Sequence, residues 1–178
     1  MDNIFFDIKQ LKHCGKNVII GKTVRIRNPE LVEIGDNVII DDFTFISGNL
    51  SIGNYVHIGA NCTLQASSGK ISIGNHCGIS SGSRLFAASS DYINPNYDMP
   101  CYPNEIRQGG IISEINISNY CLIGANGVVL PGVSIPEGVA FGAGLIIQDM
   151  DYLPWRLYFE ATLTKSVSRS KDALARIL

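Results

Sequence analysis

"SIGNYVHIGANCTL", residues 51–64, sets Ile52 before Gly53 and Ile58 before Gly59, six residues apart. Six is neither the helical period of about 3.6 nor the strand period of about 2. Stepping by six from Ile34 meets Ile40, Ile46, Ile52, Ile58 and Leu64, and after three extra residues ("SGK") Ile73, Ile79 and Leu85. Beyond a break over 87–113 the frame returns at Ile117, Ile123, Val129, Ile135 and Phe141. Upstream, Ile20 opens "IGKTVR", separated from Ile34 by a two-residue phase slip. An internal repeat this short predicts a β-solenoid.

The residue four places after each anchor supplies a second test. These positions hold Val24, Val38, Thr44, Leu50, Val56, Cys62, Cys77, Ser83, Cys121, Gly127, Val133, Val139 and Leu145, nearly all small or β-branched. Three of the five cysteines fall here, where a thiol is a compact apolar filler. The five have no CxxC spacing and are odd in number, which argues against a disulfide framework and a zinc ribbon. Gly often follows the anchor and Asn often follows within the turn, as expected for corners needing positive φ. Each hexapeptide therefore reads as a short strand and a corner, with the anchor inward and stacked strands pairing in parallel.

The 178 residues suit one domain, expected to divide into an N-terminal helical segment (1–16), the solenoid (17–150) and a tail with a short helix (151–178). Ile4, Phe5, Ile8 and Leu11 lie at helical spacing behind Asp2, a possible cap, and Ser170 is placed to cap the terminal helix. The net charge of −2, without a basic run, argues against nucleic acid as partner. No basic leader with an apolar stretch and no membrane-length apolar run is present, so the expected location is cytoplasmic, with no membrane span.

"IGDNVIIDDFTFISGNLSIGNYVHIGANCTL" and "IGANGVVLPGVSIPEGVAFGAGLII" resemble the hexapeptide-repeat acyltransferases, and "GVVLPGVSI" followed by "GAG" resembles their acetyltransferase branch. The resemblance covers about 17–178 and implies an all-β fold, a left-handed parallel β-helix with one long inserted loop. It also implies a homotrimer, with acetyl-CoA as co-substrate in a groove between subunits and the acceptor site at the subunit interface. Gly127 and Ala143 are the matches for small residues beside the pantetheine.

Insertions into a solenoid commonly carry its function. Here the insertion is "AASSDYINPNYDMPCYPNEIRQGG", 87–110, whose tyrosines favour an ordered lid. Most of the family's branches carry a histidine in this loop as general base, but the only histidines here, His13, His57 and His76, all precede it. "SSDYINPNYDMP" resembles a subset with "SDD(F/Y)SG…NP…P", and "SKDAL" at 170–174 resembles that subset's "SKDL". Ser90 stands where the first acid would be and Asp91 matches the second. Asp91 is thus a candidate base, His76 and His57 are its rivals, and Ser90, Tyr92 and Asn94 are candidate acceptor contacts. A simpler role for Asp91 is capping a turn, and an outward histidine is often merely solvated.

Lys165 and Arg169 are candidate partners for the donor's phosphates, and Trp155 is expected to close the end of the solenoid. The family's "W…Y-x-G-x-P-A" reads here "WRLYFEATLTKS", which puts the adenine end of the donor pocket in doubt. The three histidines occupy different phases, so no metal site is expected. The function expected first is an acetyl-CoA-dependent O-acetyltransferase acting on a sugar hydroxyl by direct transfer, in surface polysaccharide or lipopolysaccharide biosynthesis. The alternatives are an N-acetyltransferase of an amino sugar and a non-catalytic trimeric scaffold.

Overall fold

The computed structural model describes residues 3–93, 97–161, 163 and 165–171. It is a left-handed parallel β-helix with three walls. The first wall stacks Cys14, Ile34, Ile52, Ile73, Ile117 and Ile135. The second stacks Ile20, Ile40, Ile58, Ile79, Ile123, Phe141 and Tyr158. The third stacks Ile26, Ile46, Leu64, Leu85, Val129 and Ile147. The expected anchors thus point inward and pair in register. The "SGK" insertion is absorbed in one long strand, Thr63–Ile73, that bends from the third wall into the first.

The positions four after each anchor fill the corners from inside: Val24, Val38, Cys121, Val133 and Val139 are fully buried. The core cysteines donate their S–H groups to carbonyls of the next coil, Cys62 to Ser80, Cys77 to Ser118 and Cys121 to Pro136. Hydrogen bonding to the Cys77 sulfur, then burial, pushes the Cys121 thiol up, and burial raises that of Cys62, so neither is poised as a nucleophile.

The glycines that follow the first-wall anchors act by close approach rather than by positive φ. A Cβ on Gly15, Gly35, Gly53 or Gly74 would lie 2.4, 2.5, 2.6 or 2.7 Å from the side-chain oxygen of Asp36, Asn54, Asn75 or Asn119 in the following coil. Each of those oxygens accepts the backbone N–H just beyond the glycine, at 2.6–2.8 Å, in Lys16, Asp36, Asn54 and Asn75. Positive φ falls two residues after the glycine instead, at Asn17, Asn37, Tyr55 and His76. Asn suits that conformation; Tyr and His are held in it by their neighbours.

The N-terminal end does not match the expected secondary structure. The described N-terminal segment holds one 3-10 turn, Ile8–Gln10, capped by Asp7; Asp2 lies outside the described residues. Asn3 prevents a helix by accepting the N–H groups of Phe5 and Phe6, while its amide donates to Gly21 and Val24 carbonyls. The solenoid already starts at His13–Cys14, which pairs with Glu33 and Ile34. At the other end Tyr152, Tyr158 and Leu163 close the core, with the two tyrosines packed on Phe141. Trp155 instead sits on an outer corner, across Gly138. Ser166–Ser168 returns antiparallel along Arg156–Tyr158. The expected C-terminal helix lies outside the described residues.

Candidate active site

The insertion leaves from the third wall after Phe86 and re-enters at Glu114, the start of a first-wall strand. Its neck is a two-stranded antiparallel ribbon, Ala88–Ser89 against Ile111–Ile112. Above the neck Tyr97 packs edge-on against Tyr102, 5.1 Å between centroids, and Tyr97 accepts the Gln108 N–H. The described part of the loop is therefore built on its own hydrogen bonds and rings.

The organising side chain is Asp98. Its Oδ1 accepts the Ser90 hydroxyl at 3.1 Å, and its Oδ2 accepts the Asp91 N–H at 3.1 Å. Asp91 in turn accepts the Ile93 N–H through Oδ1 at 2.9 Å, an Asx-turn. Between the loop and the third wall lies a cleft of about 580 Å³. Ser47, Gln65 and Ser67 line it from the wall, and Ser90, Asp98 and Arg107 from the loop. A second hollow, under residues 3–9, is walled mainly by apolar side chains, with Asp7 and Lys9 as its ionisable lining.

Ser90 lines the cleft, and Asp91 is tied to it through Asp98. Tyr92, 89% exposed, projects from the loop, and Asn94 lies outside the described residues. His57 faces outward on the second wall, its Nε2 2.8 Å from Oδ2 of Asp41. His76 is spent on packing: its ring is sandwiched between Tyr55 and Tyr120, 4.9 Å from each and within 4° of parallel. Among the described residues no group of three side chains is arranged to hold a metal ion.

The four donor candidates separate. Gly127 faces inward: a Cβ there would lie 2.7 Å from Cγ2 of Ile123, and its carbonyl already accepts from Arg84. It is a core position and offers no outer contact. Ala143 is exposed on the corner between the second and third walls, beside Gly144, whose Cβ position is open. Lys165 is exposed and pairs with Glu160 at 3.1 Å. Arg169 is occupied by the carbonyls of Tyr120 and Gly138, so it fastens the tail to the corner rather than waiting for a phosphate.

Asp98, Arg27 and Arg107 were not among the expected site residues. Asp98 is seven residues from Asp91 in a loop without period, and Arg27 lies in the phase slip where the repeat gives no register. The signal for His76 was present: Tyr55, His76 and Tyr120 each stand three after an anchor, so they stack.

The chain is similar to several known proteins. The family model for bacterial transferase hexapeptides (six repeats) matches residues 32–66. The dTDP-4-amino-4,6-dideoxy-D-glucose acyltransferase of Escherichia coli is 31% identical over 156 residues, 84% of this chain and 78% of the relative. Among solved structures, the N-acyltransferase AntD of Bacillus cereus, in complex with dTDP and 3-hydroxybutyryl-CoA, is 30% identical with a TM-score of 0.83. The match covers 98% of this chain and 94% of AntD. A mutant of AntD with dTDP-4-amino-4,6-dideoxyglucose and coenzyme A gives 29% identity and a TM-score of 0.85, covering 99% and 96%. A maltose O-acetyltransferase from Clostridium difficile shares the fold at 15% identity and a TM-score of 0.55.

The chain belongs to the hexapeptide-repeat acyltransferases. It is an acyl-CoA-dependent transferase, with the acyl thioester as co-substrate.

Proposed function

We propose that this protein transfers an acyl group directly from acyl-CoA to the amino group of a nucleotide-linked amino sugar. The observation that carries the reading is the loop cleft. Its ionisable groups are carboxylate and guanidinium, with no histidine, on a chain similar over 98% of its length to an N-acyltransferase complexed with dTDP. A neutral amine attacks a thioester without prior deprotonation and needs a proton acceptor only as the C–N bond forms. A sugar hydroxyl needs a stronger base during attack.

Asp91 takes the role of that acceptor, held by Asp98, and Ser90 and Tyr92 flank the sugar. His57, oriented by Asp41, is the second candidate and serves a ligand carried by a neighbouring copy. The donor lies along the corner of Ala143 and Gly144, where nothing fills the space beside Gly144. A homotrimer accounts for the apolar second wall, where Ile19 and Leu122 are exposed, and for the projecting Tyr92 and Ile93. O-acylation of the same sugar, the role expected first from the sequence, is the competing outcome.

The test offers acetyl-CoA with dTDP-4-amino-4,6-dideoxyglucose or its 4-hydroxy counterpart, following thiol release and product mass. An amide product from the amine alone supports the proposal. An ester from the hydroxy sugar with no reaction of the amine overturns it in favour of O-acylation.

A further inference from the structure

The polar cleft contains an arrangement that its carboxylates do not explain. Arg27 lies at the end of the third wall's first strand, its N–H bound to the Ile46 carbonyl and its guanidinium over the Phe45 ring, 5.2 Å from the centroid. Arg107 enters the cleft from the loop on the opposite side, its backbone fixed by the Pro103 carbonyl. Among the described residues neither guanidinium pairs with a carboxylate: the ion pairs are Lys12–Glu33, His57–Asp41 and Lys165–Glu160. Asp98, the one carboxylate lining the cleft, already accepts from the Ser90 hydroxyl and the Asp91 N–H.

Two guanidiniums against one satisfied carboxylate leave a net positive cleft, lined otherwise by hydroxyls, amides, glycine backbone and, toward the loop, the apolar Ala88, Met99, Pro100, Ile111 and Ile112. Guanidinium forks match phosphoryl oxygens, and stacking on Phe45 fixes one of them before any ligand arrives. About 580 Å³ is ample for a glycosyl diphosphate. Gly109, with nothing within 4 Å of its Cβ position, leaves the loop side open.

We infer that Arg27 and Arg107 clamp the diphosphate of the acceptor nucleotide, directing the attached sugar toward Ser90 and Asp91. The inference rests on the nucleotide-sugar reading above. Coenzyme A also carries a diphosphate, but this cleft ends at the loop neck beside Ser90 and Asp98. The assignment is therefore to the acceptor.

The test titrates dTDP, CoA and inorganic pyrophosphate separately into the intact protein and into Arg27→Gln and Arg107→Gln, by calorimetry. Both arginines are exposed, so the variants should fold, and an unchanged melting temperature checks this. Weakening of dTDP binding by about tenfold or more in each variant, with CoA within about twofold, is expected. Equal dTDP binding by all three proteins overturns the clamp and leaves the nucleotide-sugar reading intact. Loss of CoA with dTDP retained moves the cleft to the donor and overturns it as well. If the unaltered protein binds pyrophosphate through the arginines but not dTDP, the clamp stands and the nucleotide assignment falls. Binding of neither removes both.

Discussion

The ring of His76 lies parallel to that of Tyr55, 4.9 Å between centroids and 3° between planes, on a corner distinct from the wall that bears the loop. Replacing it with Asn keeps a residue that accepts its φ of 56° and removes both stacking contacts. His76→Asn should cost about 1 kcal/mol in urea denaturation. Acyl transfer should stay within about twofold, since the ring supports structure rather than proton transfer. A large fall in kcat without a change in stability would return His76 to the catalytic candidates.

Asp91→Asn retains an oxygen for the Ile93 N–H, so the turn should persist while the charge is lost. If Asp91 accepts the proton, kcat should fall by about 10²–10⁴ with KM and melting temperature little changed. Asp98→Asn should differ. It removes charge from a side chain that holds Ser90 and Asp91 together, so KM for the acceptor should rise alongside the fall in kcat. Steady-state kinetics of the two variants separate the roles.

Gly138 has φ 73°, and a Cβ there would lie 2.3 Å from the ring of Trp155. Gly138→Ala should therefore displace that ring and cost about 2 kcal/mol or more, through left-handed strain and overpacking together. Trp155 is the sole tryptophan, so its emission spectrum reports the displacement directly. An unchanged spectrum would contradict the placement of Trp155 on this corner.

The carboxyl of Asp42 is held below its usual range, first by the Thr23 hydroxyl, at 2.7 Å, then by the Thr23 N–H, at 2.9 Å. Because its folded pKa is depressed, its contribution is complete above about pH 4 and is lost as pH falls through the folded value. Asp42→Asn should flatten the melting-temperature profile below about pH 4 and leave it nearly parallel to the original at pH 6–8. A steeper acid limb in the variant would reverse the sign assigned here.

Much of the frame was legible because a six-residue period specifies the anchor and the inward corner residue together: Ile52 with Val56, Ile73 with Cys77. The reason for Gly53 was not legible. It depends on the Asn75 side chain one coil away, and the spacing between coils varies from 18 residues (Ile34 to Ile52) to 21 (Ile52 to Ile73). The site was only half legible. Asp91 and Ser90 could be found as polar residues in the insertion. Pairing them with Asp98, and facing them with Arg27, required the loop to fold back on the first coils. The placement of Arg169 was hidden for a related reason, since nothing in "SVSRSK" tells that Tyr120 and Gly138 carbonyls accept its guanidinium.

The Asn75 N–H donates to the Asn119 side chain at 2.8 Å across a gap of 44 residues, as Asn54 does to Asn75 across 21. The corner is thus completed identically whether the intervening chain makes a bare coil or a coil plus an excursion. In the function proposed above, acceptor recognition is carried by a cassette whose ends are fastened at the Ala88–Ser89 and Ile111–Ile112 ribbon. Exchanging that cassette between relatives would alter what is acylated while leaving the load on the frame unchanged, so this architecture separates the evolution of specificity from the maintenance of stability.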